Sequence, residues 1–429
     1  MVGEQLADVG STNAGRIWVL RLNVTGKVLH TQAITNGVGG MPSSTVGTDA
    51  YFGRSVSTDC GDIDGDGYND VMAAAYFQDF GVTDGGSLYV LFMQADDTIR
   101  GFTRISQADG EGLDSLPVAV KEIGIGLALI PPRTVGDWDN PVDVAASSMN
   151  NRAVILFRLS VNGTVMGTPA VIQDGREGLP SGSLSSGDEF GRSTYPMGDL
   201  DGDGVAEISV GATSDDEAGS NSGAVYILFL NAGNSTDAVK SFLKITPATG
   251  GLTGIAPTGQ RMSSGMVMGD LDGDGRPEMM FGFIESSTSI VVARLGSLMP
   301  SASPTPSVTP SVSPTPSVTP SNAAVGRVYE AVLVGDGFGI TPGTIAAADN
   351  FGNTFGMIGD IDGDGVPDVA VAATFDDDAH TNAGAVYIIF MNRDLTAKGY
   401  QKISETEGNA DLSSLSSGSL FGWYPSRLD

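Results

Sequence analysis

One short acidic motif sets the frame in which the whole chain must be interpreted. Gly-Asp-(Leu/Ile)-Asp-Gly-Asp-Gly begins at Gly61, Gly198, Gly269 and Gly359, and a shortened copy without the Gly-Asp-Gly centre begins at Gly136. The first aspartates, at positions 62, 137, 199, 270 and 360, are 75, 62, 71 and 90 residues apart. A motif that returns at such intervals marks a chain assembled from one supersecondary unit.

The surroundings of the motif repeat as well. A Phe-Gly pair lies upstream (Phe52-Gly53, Phe190-Gly191, Phe351-Gly352), and a short apolar run follows at 71–75, 208–212, 279–283 and 369–373. A polar, Gly-rich loop leads to a longer apolar run, as at 224–230 and 385–390, and a fourth short run follows, as at 242–245. These runs are rich in Val, Ile, Tyr and Phe and are punctuated by Gly and Asn, which predicts strands. No segment keeps a helical period. Four short strands cannot bury both faces of their own sheet, whereas several such sheets stacked radially can. The predicted fold is therefore all-β, a β-propeller of four-stranded antiparallel blades.

Six repeats are visible, and the sequence allows six or seven blades. Asn13-Ala14-Gly15 aligns with Asn382-Ala383-Gly384, which places residue 1 inside the second strand of a blade. Phe421-Gly422-Trp423 has the form of a first strand. Joined to the N-terminal hairpin, it would close the ring at six; the other reading is a chain cut from a longer array. We expect residues 1–429 to form one propeller domain. Residues 303–321 (SPTPSVTPSVSPTPSVTPS) favour polyproline II and O-glycosylation. Strand-like runs at 289–295 and 327–334 flank this segment, so an insertion at 301–322 in a hairpin tip is expected rather than a linker between domains.

The acidic loop reads D-x-D-G-D-G-x-x-D/E. Its glycines let the chain turn around one point, so that carboxylates at positions 1, 3 and 5 converge. Position 7 can add a backbone carbonyl and position 9 a further carboxylate. Such a hard, all-oxygen set suits Ca²⁺ at roughly 2.3–2.6 Å. The predicted ligands of the first loop are Asp62, Asp64, Asp66, the Tyr68 carbonyl and Asp70; of the second, Asp199, Asp201, Asp203, the Val205 carbonyl and Glu207. The third loop offers Asp270, Asp272, Asp274, the Arg276 carbonyl and Glu278, and the fourth Asp360, Asp362, Asp364, the Val366 carbonyl and Asp368. An EF-hand would need Glu at position 12 and a helix beyond it; position 12 is Ala73, Val210, Phe281 or Val371, each in a strand-like run. A bare Asp-Gly turn is the other reading of one copy, but four carboxylates within nine residues, four times over, repel strongly without a cation. About four Ca²⁺ ions are expected. The loop at Asp137 keeps only Asp137, Asp139 and Asp143 and is not counted among them.

Phe-Gly, then D-x-D-G-D-G-x-x-D, then a strand of the type Val210-Gly211-Ala212 resembles the FG-GAP repeat, the blade unit of integrin α-subunit propellers. The resemblance spans nearly the whole chain. It implies a propeller that is commonly seven-bladed, calcium in the loop between the first and second strands, and ligand binding through loops of the opposite face. This sequence departs from the pattern at Arg261-Met262, which replaces Phe-Gly, and at Glu207 and Glu278, which replace the last Asp.

The composition narrows the function. With 22 basic and 51 acidic residues the net charge is −29, which speaks against nucleic acid and against an anionic membrane surface as partners. No apolar run is long enough for a membrane-spanning helix. Residues 1–5 show neither the basic region nor the apolar core of a signal peptide; a removed signal or a fragment would look the same. The single cysteine, Cys60, is expected to be a small buried hydrophobe. Sequons at Asn23, Asn162 and Asn234 fall at tips after the third strand, which predicts N-glycans on the calcium-loop face of an extracellular or cell-surface protein. His30 and His380 are the only histidines, and no nucleophile elbow, phosphate loop or zinc spacing occurs, so no enzymatic activity is expected. The clusters Asp215-Asp216-Glu217 and Asp376-Asp377-Asp378 belong to the other face, as a solvated rim or as a recruiter of a cationic partner. The expected function is adhesion, partner binding or assembly outside the cell, with a protein or glycan ligand on the face opposite calcium and self-assembly as a further mode. A carbohydrate-binding module accessory to an extracellular enzyme is the rival reading.

Overall fold

A strand covered on both faces needs an unbroken apolar run, and the second and third runs of each repeat supply one. In a computed structural model of the protein, described for all residues except 59–60, 109, 131–141, 232–236, 250, 256–259, 286, 297–327, 379 and 429, they form the interior of six sheets. Blade 1 contains β1 (Val2–Glu4), β2 (Arg16–Leu22) and β3 (Val28–Ile34). Blade 2 is β4 (Phe52–Ser57), β5 (Val71–Ala75), β6 (Ser87–Met93) and β7 (Ile99–Ile105). Blade 3 is β8 (Leu127–Ile130), β9 (Asp143–Ser148), β10 (Ala153–Leu159) and β11 (Val165–Ile172). Blade 4 is β12 (Phe190–Gly198), β13 (Glu207–Ala212), β14 (Ala224–Leu230) and β15 (Val239–Ile245). Blade 5 is β16 (Arg261–Gly269), β17 (Glu278–Ile284), β18 (Ser289–Leu295) and β19 (Val328–Asp336), with the two-residue β20 (Gly339–Ile340) parallel to β19. Blade 6 is β21 (Phe351–Gly359), β22 (Asp368–Ala373), β23 (Ala385–Met391) and β24 (Ala397–Ile403). Finally β25 (Phe421–Trp423) pairs with β1, Gly3 opposite Trp423, so that blade 1 runs β25-β1-β2-β3.

The first strands touch in a circle, β4 to β8, β12, β16, β21, β25 and back to β4. The ring therefore has six blades, not the seven common in the family that the sequence resembles. Fourth strands such as β15 lie outermost and alternate buried ends with exposed middles. Leu295 of β18 pairs with Val328 of β19, so the residues between them connect two strands of one hairpin. The Pro-rich segment itself, like Cys60 and Asn234, lies outside the described residues.

Two glycines show why neighbouring blades approach so closely. Gly53 has φ +85°, and a Cβ there would lie 2.5 Å from the carbonyl oxygen of Arg16 in blade 1. A Cβ on Gly211 would collide with the backbone oxygen of Ser263 in blade 5. The Phe of each Phe-Gly pair turns into its own blade. Phe52, Phe190 and Phe351 meet Tyr89, Tyr226 and Tyr387 of the third strand edge-on, with ring centroids 5.4–5.5 Å apart.

Candidate metal loops

The acidic loops connect the first and second strands, where glycines at positive φ (Gly65, Gly67 and their equivalents) let the chain reverse. The position-1 carboxylate organises the turn. Asp62 accepts hydrogen bonds from the amides of Gly65, Asp66 and Gly67 at 2.7, 3.0 and 2.7 Å. Asp199 and Asp360 repeat this pattern, and Asp270 accepts from Gly273 and Gly275. The position-5 carboxylates Asp66, Asp203, Asp274 and Asp364 each accept the amide of position 7, from Tyr68, Val205, Arg276 and Val366.

Position 9 is buried in all four loops. Asp70 accepts from the amides of Ile63 (2.9 Å) and Met93 (3.1 Å), and Asp368 from those of Ile361 (2.9 Å) and Met391 (3.0 Å), so each uses both oxygens on backbone. Glu207 accepts from Leu200 with Oε2, and Glu278 from Leu271 with Oε2. Burial, only partly opposed by these hydrogen bonds, pushes Asp70, Glu207 and Glu278 up to about 7 and raises Asp368 in the same direction.

Three carboxylates per loop bring oxygens within 4.8 Å of one another: Asp62, Asp64 and Asp66; Asp199, Asp201 and Asp203; Asp270, Asp272 and Glu278; Asp360, Asp362 and Asp368. Asp70, Glu207, Asp274 and Asp364 stand outside those groups. The fit to a hard cation rests on more than proximity. Asp64 Oδ1, Asp362 Oδ1 and Glu207 Oε1 are buried without a hydrogen-bond donor, a costly state for a carboxylate oxygen unless a cation meets it.

One component of the site is not evident from the acidic motif. A basic side chain reaches each loop from the outer half of its blade. Lys240 of β15 lies 2.6 Å from Asp201 and also pairs with Asp203. Lys398 of β24 lies 2.5 Å from Asp362 and pairs with Asp364. Arg100 of β7 pairs with Asp64 and Asp66. In blade 5 the corresponding fourth-strand residue is Tyr329, and Arg294 of β18 takes over, 2.6 Å from Asp272. The signal was a basic residue directly after the apolar start of the fourth strand: Ile99-Arg100, Val239-Lys240, Ala397-Lys398. In blade 3 Asp137 and Asp139 lie outside the described residues, and Asp143 is paired with Arg158 at 2.7 Å.

Each acidic cluster of the opposite face is partly compensated by one lysine. Lys244 Nζ lies 2.6 Å from Asp215 and 2.7 Å from Glu217; Lys402 Nζ lies 2.9 Å from both Asp376 and Asp378. Asp216 and Asp377 accept the amides of Asn221 and Asn382. Each cluster keeps an exposed aspartate, Asp216 or Asp377, and two more carboxylates than its lysine balances.

A family model of the FG-GAP repeat matches residues 52–91, 196–228 and 351–389. The chain carries FG-GAP repeats. The three matched FG-GAP segments lie in blades 2, 4 and 6, the blades with the Phe–Tyr ring pair. Blade 5 has an acidic loop of the same form but begins with Arg261-Met262 and lies outside the FG-GAP matches. Among solved structures, a Synechocystis apocarotenoid oxygenase (ACO) with the Glu150Gln mutation is similar over 96% of this chain and 72% of that one, at 9% identity and a TM-score of 0.37. At that score the likeness has no bearing on function.

Proposed function

We propose that the protein is a calcium-stabilised extracellular propeller that binds a partner in adhesion or in assembly of a cell-surface structure. The observation that carries the calcium reading is the recurrence in four loops of one hydrogen-bonded turn that gathers three carboxylate oxygens within 4.8 Å. Positions 1 and 3 of each loop would hold the ion, joined by Asp66 and Asp203 in the first two loops and by Glu278 and Asp368 in the other two, and the position-7 carbonyls of Tyr68, Val205, Arg276 and Val366 would complete the set. The bound ion would supply charge neutralisation and tie the first hairpin of each blade. The chain's own part is to hold the carboxylates in place before the ion arrives. Extracellular placement, N-glycans at Asn23 and Asn162, and a ligand on the face opposite the metal loops belong to the same reading. Asn162 is exposed at a tip on the metal-loop side. No described helix is long and apolar enough to cross a membrane.

One observation favours the carbohydrate reading as second. Tyr51, Tyr76 and Phe77 gather on the face opposite the acidic loops, with centroids 4.5–5.6 Å apart. Thermal melts with and without a chelator test calcium: a large loss of melting temperature supports the reading, and an unchanged one removes it. A glycan array separates the two partner classes; specific sugar binding would move the assignment to the second.

A further inference from the structure

We propose that the axis of the propeller contains a binding site for a small oxyanion, of the carboxylate or sulfate class, centred on Arg54. Arg54 follows Phe52-Gly53 in β4, an innermost strand, and is only 2% exposed. Three cationic side chains are buried among the described residues: Arg16, Arg54 and Lys402. Arg16 lies 2.8 Å from Glu4 and Lys402 2.9 Å from Asp376, but Arg54 has no carboxylate within ion-pair distance among the described residues. Its Nη1 is buried without an acceptor. An uncompensated buried charge is costly, and this chain has 51 acidic residues from which to draw a partner.

The surroundings have the same bias. The guanidinium faces the Trp423 ring at 3.8 Å, with Tyr424 at 5.5 Å and Tyr76 at 5.9 Å. These rings cover its faces and leave its N–H edge unsatisfied. Trp423 Nε1 is a second buried donor without an acceptor. Arg192 follows Phe190-Gly191 in β12, its carbonyl accepts from the Tyr424 hydroxyl at 3.5 Å, and its positive charge acts on Arg54. That repulsion adds to burial in lowering the Arg54 pKa to about 10. Blades 1, 2 and 4 thus send two cations and one indole N–H to the axis, with no described carboxylate paired to either cation. A carboxylate entering edge-on, or a sulfate presenting two of its oxygens, would accept from the guanidinium fork and relieve the repulsion between the arginines. Arg192 near the start of β12 and Tyr76 just past the end of β5 are half-buried, and both lie toward the face opposite the metal loops, from which an anion would enter. From the other end, Ser426 and Arg427 meet Thr58 at the end of β4.

The test is a titration of the calcium-supplemented protein with sodium acetate and with sodium sulfate against sodium chloride at matched ionic strength, followed by melting temperature and calorimetry. A saturable stabilisation by either oxyanion that chloride does not give supports the site, and the stronger arm names the class. Arg54→Met should abolish the saturable effect while melting no lower than the parent in chloride, because an unpaired buried charge is replaced by an apolar chain of similar length. Arg192→Met should weaken binding at least several-fold, and it decides the matter if Arg54→Met fails to fold. No saturable effect in the parent, or one that survives both substitutions, overturns the proposal.

Discussion

Phe190 and Tyr226 meet edge to face in blade 4, with ring centroids 5.4 Å apart and 89° between their planes. Both are fully buried, and the pair ties the innermost strand of the blade to its third strand. Phe190→Leu keeps the volume nearly constant but removes the aromatic contact. It should cost about 1–2 kcal/mol, and Phe190→Ala about 3–5 kcal/mol. Denaturant unfolding at saturating calcium measures both; a cost near zero for Phe190→Leu would show that the ring geometry contributes nothing.

Lys240 occupies the charge that a metal would bring to Asp201 and Asp203. A divalent ion at this loop must therefore compete with a resident ammonium group. Lys240→Met should tighten calcium binding at the second loop by roughly 3–10-fold, with under about 1 kcal/mol change in metal-free stability because the pair is partly solvated. Lys398→Met should act in the same way on the fourth loop. Calorimetric titration checks both, and unchanged or weaker affinity would refute competition.

Glu4 is fully buried and accepts from Arg16 Nε at 2.8 Å, Arg16 Nη2 at 2.9 Å and Trp18 Nε1 at 2.7 Å. Arg16→Ala leaves that carboxylate with one donor and should cost about 3–5 kcal/mol. Replacing Glu4 and Arg16 together with Met and Leu should recover most of the loss. Chemical denaturation of the single and double variants distinguishes a desolvated charge from simple loss of packing.

Asp349, in the 3₁₀ turn before β21, is buried and accepts the amide of Ala346 at 2.8 Å. Burial, chiefly, raises its pKa from 3.8 to about 6. Between those values the folded state holds the proton more tightly than the unfolded chain. The contribution of this group is therefore most favourable below pH 4 and is lost as pH rises through 6. Asp349→Asn keeps an acceptor for Ala346 and removes the charge. It should raise the melting temperature by about 2–4 °C at pH 7.5 and leave it unchanged near pH 4. A pH series of melts gives the answer, and a gain that is the same at both ends would refute the assignment.

Strands, blades and acidic loops were legible in the sequence because they are local. Unbroken apolar runs, Asp-Gly turns and the Phe-Gly frame all lie within a dozen residues of the groups they organise. The fourth-strand start illustrates the limit. Val239-Ser241, with Lys240 between, reads as the edge of a strand, and only the hairpin's return places Lys240 over a loop nearly forty residues earlier. The acidic clusters Asp215-Asp216-Glu217 and Asp376-Asp377-Asp378 looked like surplus charge for the same reason. Their counter-ions, Lys244 and Lys402, lie on another strand.

The repeat, the four-stranded unit and the candidate ligand set were thus determined by the sequence itself, through spacing and side-chain chemistry. The blade number was not, because it depends on how β25 meets β1 and on the angles at which whole sheets pack. The axial cluster was not either. Arg54, Arg192 and Trp423 sit at equivalent places in three distant repeats, and nothing in any one repeat shows that closing the ring brings two positive charges and an unpaired indole together.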